Sequence, residues 1–347
     1  MRKARIGLIG AGWWATSVYL PHLKADKRAD VVAVNRLGEA ELEAVRRKFD
    51  IPSAFLDYRE MLATAKLDGV VIASPHVFHF EQAMAALDHG LHVLVDKPMT
   101  VRAADARILT AKASERDRQL IVSYGWNFTP MAREAKRLIA DGGVGKVRHI
   151  KLHMASPLRD LFGGEGLVES KNDMFQPAAS TWSDPAAAGG YGWGQLSHAL
   201  GLLFHVVDLD PVEVYAAAVS SQTGVDLYDA SVVRFANGAT GSLSGAGTLP
   251  KHVLDQVELR VFGTEGVLLM DLDGERLELR RDDRADNIVK LDAGAGVYPL
   301  GRSVETLVDI CCGEPASNDA PGHVGRQAVE VLDAFYRSLA SGKVEKV

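Results

Sequence analysis

Two hydrophobic rhythms alternate along the first 122 residues. Short unbroken apolar runs recur at Arg5-Ile6-Gly7-Leu8-Ile9-Gly10, Val31-Val32-Ala33-Val34, Ser53-Ala54-Phe55, Gly69-Val70-Val71-Ile72-Ala73, His92-Val93-Leu94-Val95 and Leu120-Ile121-Val122. Between them lie segments that read as helices: 13–24, 39–49, 57–64, 78–89 and 101–116. In the second of these, Leu42, Val45 and Phe49 recur at helical spacing with charges between them. Apolar runs without polar alternation belong to strands covered on both faces. Alternation with helices predicts a doubly wound parallel sheet with right-handed crossovers, an α/β Rossmann arrangement. Ligands of such sheets bind at the carboxyl ends of the strands, so the residues just after each run carry the chemical interest.

The remainder changes character. A helix is predicted over 131–140, then a stretch rich in Gly, Ser, Pro and Ala over 156–194, then a helix over 196–207. Strand-like segments follow at 212–220, 228–235, 240–246, 257–262, 267–272 and 276–280. Asn237-Gly238 and Asp273-Gly274 suggest tight primed hairpin turns. The expectation is an α+β domain with a large, mostly antiparallel open sheet, ending in a helix over 324–339. Predicted domains are 1–124 and 125–347, with the last helix packing back on the first.

Composition narrows the function classes. Of 347 residues, 47% are hydrophobic and 24% charged, which excludes global disorder. Lys and Arg number 39 against 45 Asp and Glu, a net charge of −6, which argues against a nucleic-acid or anionic-membrane partner. No apolar run approaches the ~18 residues of a membrane span, and the basic start Met1-Arg2-Lys3-Ala4-Arg5 lacks the apolar core of a leader. The two cysteines, Cys311 and Cys312, are adjacent and poorly placed to pair, so a cytoplasmic protein with reduced thiols is expected.

Gly10-Ala11-Gly12-Trp13-Trp14-Ala15 is a GxGxxA form of the dinucleotide fingerprint, set where a strand gives way to a helix. The first glycine serves the turn, the second the approach of the pyrophosphate, and the small third residue close packing. Amides at the helix start face the phosphates. At the end of the second run stands Asn35-Arg36, where NAD sites usually carry a carboxylate. A guanidinium pairs with a 2′-phosphate that a carboxylate would repel, so NADP is expected in preference to NAD. The fourth run ends in Ala73-Ser74-Pro75-His76-Val77-Phe78-His79, and the fifth in Val95-Asp96-Lys97-Pro98. Lys97 is thereby held at the sheet edge, where proximity to a cationic nicotinamide favours loss of its proton and acid–base use. A structural Lys–Asp pair at a strand end is the competing reading.

Gly7-Leu8-Ile9-Gly10-Ala11-Gly12, Ser74-Pro75 with His79, and Asp96-Lys97-Pro98, in this order, resemble the Gfo/Idh/MocA family. The second half matches too: Tyr124-Gly125-Trp126-Asn127, Gly189-Gly190-Tyr191 and Val261-Phe262-Gly263-Thr264-Glu265-Gly266. The resemblance spans roughly residues 5 to 341. It implies a nicotinamide-dependent oxidoreductase acting on sugars, cyclitols or related polyols, and a second-domain sheet that joins copies into homodimers or homotetramers.

Carried over residue by residue, the resemblance makes Lys97 a catalytic acid–base and substrate-binding group, with Asp96 in place of the usual Glu. It places Asn127 near nicotinamide and substrate and makes His198 the second acid–base residue. Many members carry Asp four residues before that histidine, whereas here Gly194-Gln195-Leu196-Ser197-His198 has glycine there. Asp160, Asp173 or Asp184 are candidate replacements. The cofactor set is then Gly10, Gly12, Trp13, Trp14, Asn35, Arg36, Ser74, Pro75, His76, His79, Asp96, Lys97 and Asn127. Substrate candidates are Lys97, Trp126, Asn127, Arg159, Trp193, Gln195 and His198, with Trp182 and Tyr191 as further aromatic faces and Asp160 as a polar partner. A core histidine is the plainer reading of His198, and His205 is assigned no role.

No metal is expected, since no His-Glu-x-x-His or cysteine-pair spacing occurs. Gly241-Ser242-Leu243-Ser244-Gly245 mimics a hydrolase elbow but falls in a predicted strand. Two alternatives stand beside the dehydrogenase: an NAD-dependent glycosidase working by transient oxidation, and a non-catalytic NAD(P)-binding regulator.

Overall fold

The six apolar runs form six strands: β1 (Ala4–Ile9), β2 (Ala29–Asn35), β3 (Ser53–Phe55), β4 (Gly69–Ile72), β5 (His92–Val95) and β6 (Leu120–Val122). A computed structural model describes residues 2–347, and in it these strands pair in parallel in the order β3-β2-β1-β4-β5-β6. Helices Glu39–Lys48, Tyr58–Thr64, His79–Asp88 and Ala103–Glu115 make crossovers. Leu8, Ile9, Val70, Val71, Val93 and Leu94 are all buried, which is why polar alternation is missing. Strand order reverses between β1 and β4, and Gly10, after β1, lies directly on the backbone of Ser74, after β4. With φ at +81°, Gly10 serves both the turn and this close approach.

The helix expected over 13–24 is a π turn, Ala15–Tyr19, running into an α-helix, Leu20–Ala25. Pro21 has no N–H to return to the preceding turn, and the ladder widens just before it. The chain up to Ser123, with 166–181 and 300–326, makes one compact unit. It includes an unpredicted helix, Arg302–Cys312, whose Val304, Leu307 and Val308 are buried. Cys311 packs there against Gly69, and burial pushes its thiol up to about 12.

The second unit holds 124–165, 182–299 and 327–347. Its strands are β7 (Val147–Ala155), β8 (Pro211–Ser220), β9 (Asp226–Phe235), β10 (Thr240–Ala246), β11 (Gln256–Gly263), β12 (Gly266–Asp271), β13 (Arg276–Arg281), β14 (Asn287–Ile288) and β15 (Glu345–Lys346). They form one sheet, β14-β13-β12-β11-β7-β10-β9-β8-β15, antiparallel except where β7 pairs with β10. β7, the central strand, was not predicted, and Gly241–Gly245 lies within β10.

Neither hairpin uses a primed two-residue turn. In the first, only Gly238 has positive φ, while Gly238 donates to Phe235 and Phe235 to Ala239, a longer loop with a bulge. In the second, Glu275 rather than Gly274 takes positive φ, and Asp271 accepts the Gly274 N–H.

A π turn, Gly192–Leu196, leads into helix Ser197–Val206, every residue of which is buried. A buried carboxylate secures its start. Asp226 accepts from Gly192 N at 2.6 Å and from the Tyr336 hydroxyl at 2.8 Å, and that hydroxyl accepts from Trp193 N at 3.1 Å. These contacts satisfy first-turn amides that would otherwise lack acceptors. Asp229, whose oxygens meet no donor among the described residues, lies beside Asp226. Burial, then the Asp226 charge, hold its carboxyl well above the usual range.

An acid with a raised pKa stabilises the fold at low pH and loses that contribution as pH rises through the raised value. Asp229→Asn is therefore expected to raise Tm by about 2–4 °C at pH 8 and by less at pH 5. Thermal unfolding at the two pH values checks this, and an equal or reversed effect would contradict it.

Candidate active site

At the phosphate loop, glycine at 12 has no internal cause. Its φ is ordinary, and a Cβ there would meet only Arg36 Nη1 and Gly10 O, both at 3.9 Å. The strip above Gly12 is thus open, as the approach of a pyrophosphate requires. Trp13 Nε1 donates to Asp173 at 2.6 Å, and Trp14 packs edge-on against Trp13 and Tyr19.

Arg36 leaves β2 toward this loop. Its Nη1 donates to Ala11 O at 2.9 Å, and its guanidinium lies 3.8 Å from the centre of the Phe175 ring. Nε is buried and has no hydrogen-bond partner among the described residues. Burial lowers the guanidinium's pKa while Glu41 opposes the shift, and an arginine stays charged regardless. An unsatisfied cationic donor beside an open phosphate loop fits a dinucleotide. Asn35 points elsewhere: its Nδ2 donates to Phe55 O and Leu56 O, fastening β2 to the end of β3.

After β4, Ser74 Oγ donates to Gln82 at 2.6 Å, and Pro75 leads into the short turn His76–Phe78, where His76 is buried. His79 is fully buried, with Nε2 2.8 Å from Ser74 O and Nδ1 2.8 Å from Pro98 O. It therefore ties the residues after β4 to those after β5. Neutral imidazole can donate to only one of the two carbonyls. Burial holds its pKa below the ordinary value against their pull.

Lys97 is 8% exposed, and its peptide to Pro98 is cis. Asp96 Oδ1 accepts from Lys97 N at 2.9 Å and from the Tyr19 hydroxyl at 3.0 Å. Tyr19 also lies 2.8 Å from Ser123 Oγ, which is 3.3 Å from Ser303 Oγ. The Asp96-Lys97 step is thus braced from the first helix, the end of β6 and helix Arg302–Cys312. Tyr19, Ser123 and Ser303 were missed, and no local pattern marks them.

In the second unit, His198 lies between aromatic edges, 5.6 Å from Trp126 and 5.4 Å from Tyr298 by ring centres. Tyr298 also meets Trp126 at 5.0 Å, and its hydroxyl accepts from Gly125 N at 3.0 Å. It too was missed. Asn127 is fully buried, its Nδ2 donating to Gly201 O at 3.1 Å, and Gln195 is buried in the π turn. Trp193 stacks flat on Tyr336 at 5.1 Å. Tyr191, named as a sugar-facing ring, is instead a core residue with no exposure and its hydroxyl on Ser156 and Met154.

A side chain at Gly194 would meet the rings of Phe162 at 2.8 Å and Trp182 at 3.3 Å, so the space for a carboxylate is filled. Of the candidate replacements, Asp160 binds Lys251 Nζ at 2.8 Å, Asp173 binds Trp13 in the first unit, and Asp184 caps Ala186 N at 2.9 Å. Arg159 is exposed. No cluster of three or more His, Cys, Asp or Glu suited to a metal occurs among the described residues. Nor is any described helix long and apolar enough to cross a membrane.

A histidine with a lowered pKa supports the fold above its ordinary value of 6.5 and withdraws that support as pH falls below it. His79→Gln is expected to cost about 1–3 kcal/mol at pH 8 through lost buried hydrogen bonds. It is also expected to flatten the loss of stability between pH 6.5 and 5. Urea unfolding across that range checks both, and an unchanged acid slope would contradict the assignment.

The NAD-binding Rossmann-fold oxidoreductase profile matches residues 4–124, and the Gfo/Idh/MocA C-terminal domain profile matches 132–269. A 1-carboxy-3-chloro-3,4-dihydroxycyclohexa-1,5-diene dehydrogenase of Comamonas testosteroni is 34% identical over 146 residues, 42% of this chain and 36% of that protein. An NADP-dependent D-xylose 1-dehydrogenase of Haloferax volcanii is 29% identical over 134 residues, 39% of this chain and 41% of that protein. Matches to these relatives span well under half of their lengths. The crystal structure of GenD2 from gentamicin A biosynthesis, in complex with NAD, superposes with a TM-score of 0.76 at 23% identity, covering 100% of this chain and 97% of that one. With both profiles matched in order on the fold described above, the chain belongs to the Gfo/Idh/MocA family of oxidoreductases.

Proposed function

We propose that the chain is an NAD(P)-dependent dehydrogenase or reductase acting on a secondary alcohol or ketone of a sugar, cyclitol or related polyol, with Lys97 and His198 as its acid–base groups. One observation carries this reading: a buried, braced lysine follows β5 in the unit whose phosphate loop leaves Gly12 uncovered. The names of the xylose and cyclohexadiene-diol dehydrogenases support the substrate class.

A dinucleotide bound there supplies a centre that accepts or donates hydride. The protein's own task is the proton. As an amine, Lys97 takes the proton of the substrate hydroxyl at Nζ, and as ammonium it returns one and stabilises charge on the same oxygen. His198, 9% exposed and walled by Trp126 and Tyr298, is the second exchange point, short of competing water. The filled space at Gly194 leaves that imidazole without the carboxylate one turn earlier that many relatives carry. NADP is the proposed cofactor, because Arg36 offers a cation where NAD sites carry an acid.

Lys97→Ala is expected to lower kcat by at least about 10²-fold while dinucleotide affinity changes little, and His198→Ala to lower kcat by about 10²-fold. Steady-state rates on a panel of sugars, cyclitols and their keto forms, with calorimetric binding of the dinucleotide, check this. Near-normal turnover of the lysine variant would overturn the assignment.

We also propose that copies associate through the outward face of β8 and β9. Exposed Tyr215 lies opposite exposed Val232, and exposed Val219 opposite exposed Tyr228. Such a contiguous apolar patch is unusual on a monomer. Light scattering should show a dimer or larger species that Val232→Glu weakens, and a monomeric parent protein would refute it.

A further inference from the structure

Within the Gly-, Ser-, Pro- and Ala-rich stretch 156–194, residues 166–181 belong to the first unit. Ser170, buried with Oγ on Leu167 O at 2.7 Å, ends a short 3-10 turn, and Asp173 N donates back to Ser170 O at 2.9 Å. This reversal presents two side chains to the phosphate loop. Asp173 takes the Trp13 indole N–H, and Phe175 lies under the Arg36 guanidinium.

A guanidinium has two planar edges suited to forked pairing with a phosphate, Nη1 with Nη2 and Nε with Nη2. In Arg36, Nη1 is committed to Ala11 O and one face is committed to Phe175. Nε is buried and lacks a partner among the described residues. The arrangement thus fixes the arginine and commits the end edge through Nη1, while Nε on the side edge stays unspent. A buried, unmet charged donor is costly, and an oxyanion relieves that cost. Glu41, at the start of helix Glu39–Lys48, is the carboxylate whose charge reaches Arg36.

We propose that Phe175 is a specificity-determining positioning residue of the dinucleotide site: by stacking on Arg36 it holds the Nε–Nη2 edge ready for the 2′-phosphate, while Asp173 positions Trp13 at the phosphate loop for either dinucleotide. This rests on the reading of Arg36 as the 2′-phosphate ligand. A cation–π contact of this kind is worth about 0.5–2 kcal/mol, or roughly a 2- to 30-fold change in affinity.

The test is calorimetric binding to the full chain of adenosine 2′,5′-bisphosphate against 5′-AMP, and of NADPH against NADH. The parent protein is expected to favour the 2′-phosphorylated partner of each pair, and Arg36→Ala to abolish that preference. Phe175→Ala and Phe175→Leu are expected to reduce it about 2- to 30-fold, with NADH affinity and Tm little changed, whereas Phe175→Tyr, which keeps the ring face, retains it. Leucine fills the space without a π face, so it separates stacking from packing. Asp173→Ala is expected to weaken both dinucleotides by a similar factor. A parent protein without 2′-phosphate preference overturns the Arg36 reading and this proposal with it. A preference lost in Arg36→Ala but intact in both Phe175→Ala and Phe175→Leu overturns the role of Phe175 alone, and unchanged affinities in Asp173→Ala overturn that of Asp173.

Discussion

The contact of the Gly10 backbone with that of Ser74 is the constraint on which the first unit turns. It exists because strand order reverses between β1 and β4, bringing the ends of two strands that are distant in sequence side by side. Any side chain at position 10 would strike main-chain atoms, which cannot move aside as a flexible side chain can. From that contact follow the direction of the phosphate loop, the uncovered strip at Gly12 and the place where Ser74 receives His79. His79 passes the constraint on to Pro98, and so to the backbone that carries Lys97.

The second unit uses a different device around its candidate histidine. The π turn before helix Ser197–Val206 leaves amides in need of acceptors, and Asp226 and Tyr336 supply them from a strand and from helix Gly322–Ser341. Glycines at 190 and 192 let those groups come close. His198 is thus set by a polar anchor at one end of the segment and by the rings of Trp126 and Tyr298 around its own imidazole.

How much of this the sequence discloses depends on the range of the forces involved. The parallel sheet was legible because burial on both faces leaves unbroken apolar runs. β7 was legible too and was missed: Ile150, Leu152 and Met154 alternate with His149, Lys151 and His153, the period of a half-buried strand. Helix Arg302–Cys312 is rich in Ser, Val, Thr and Cys, weak helix formers that packing overrides. Asn237-Gly238 suits several turn types, and the surrounding strands select one with a bulge. In the site, Gly10, Gly12, Arg36, Lys97 and His198 lie in local motifs. Tyr19, Ser123, Ser303, Phe175 and Tyr298 acquire meaning only through partners far along the chain, and nothing local announces them.

The placement of Asp173 and Phe175 makes modularity here non-linear. Cutting the gene at the end of β6 would not excise a complete nucleotide module, because the clasp on Trp13 and Arg36 is encoded some 140–160 codons downstream of them. A chimera that grafts residues 1–123 onto the rest of a foreign relative would inherit the phosphate loop without its clasp. On the roles proposed for Phe175 and Asp173, changing the dinucleotide preference becomes a two-segment problem, in which the loop and the distant clasp are exchanged together.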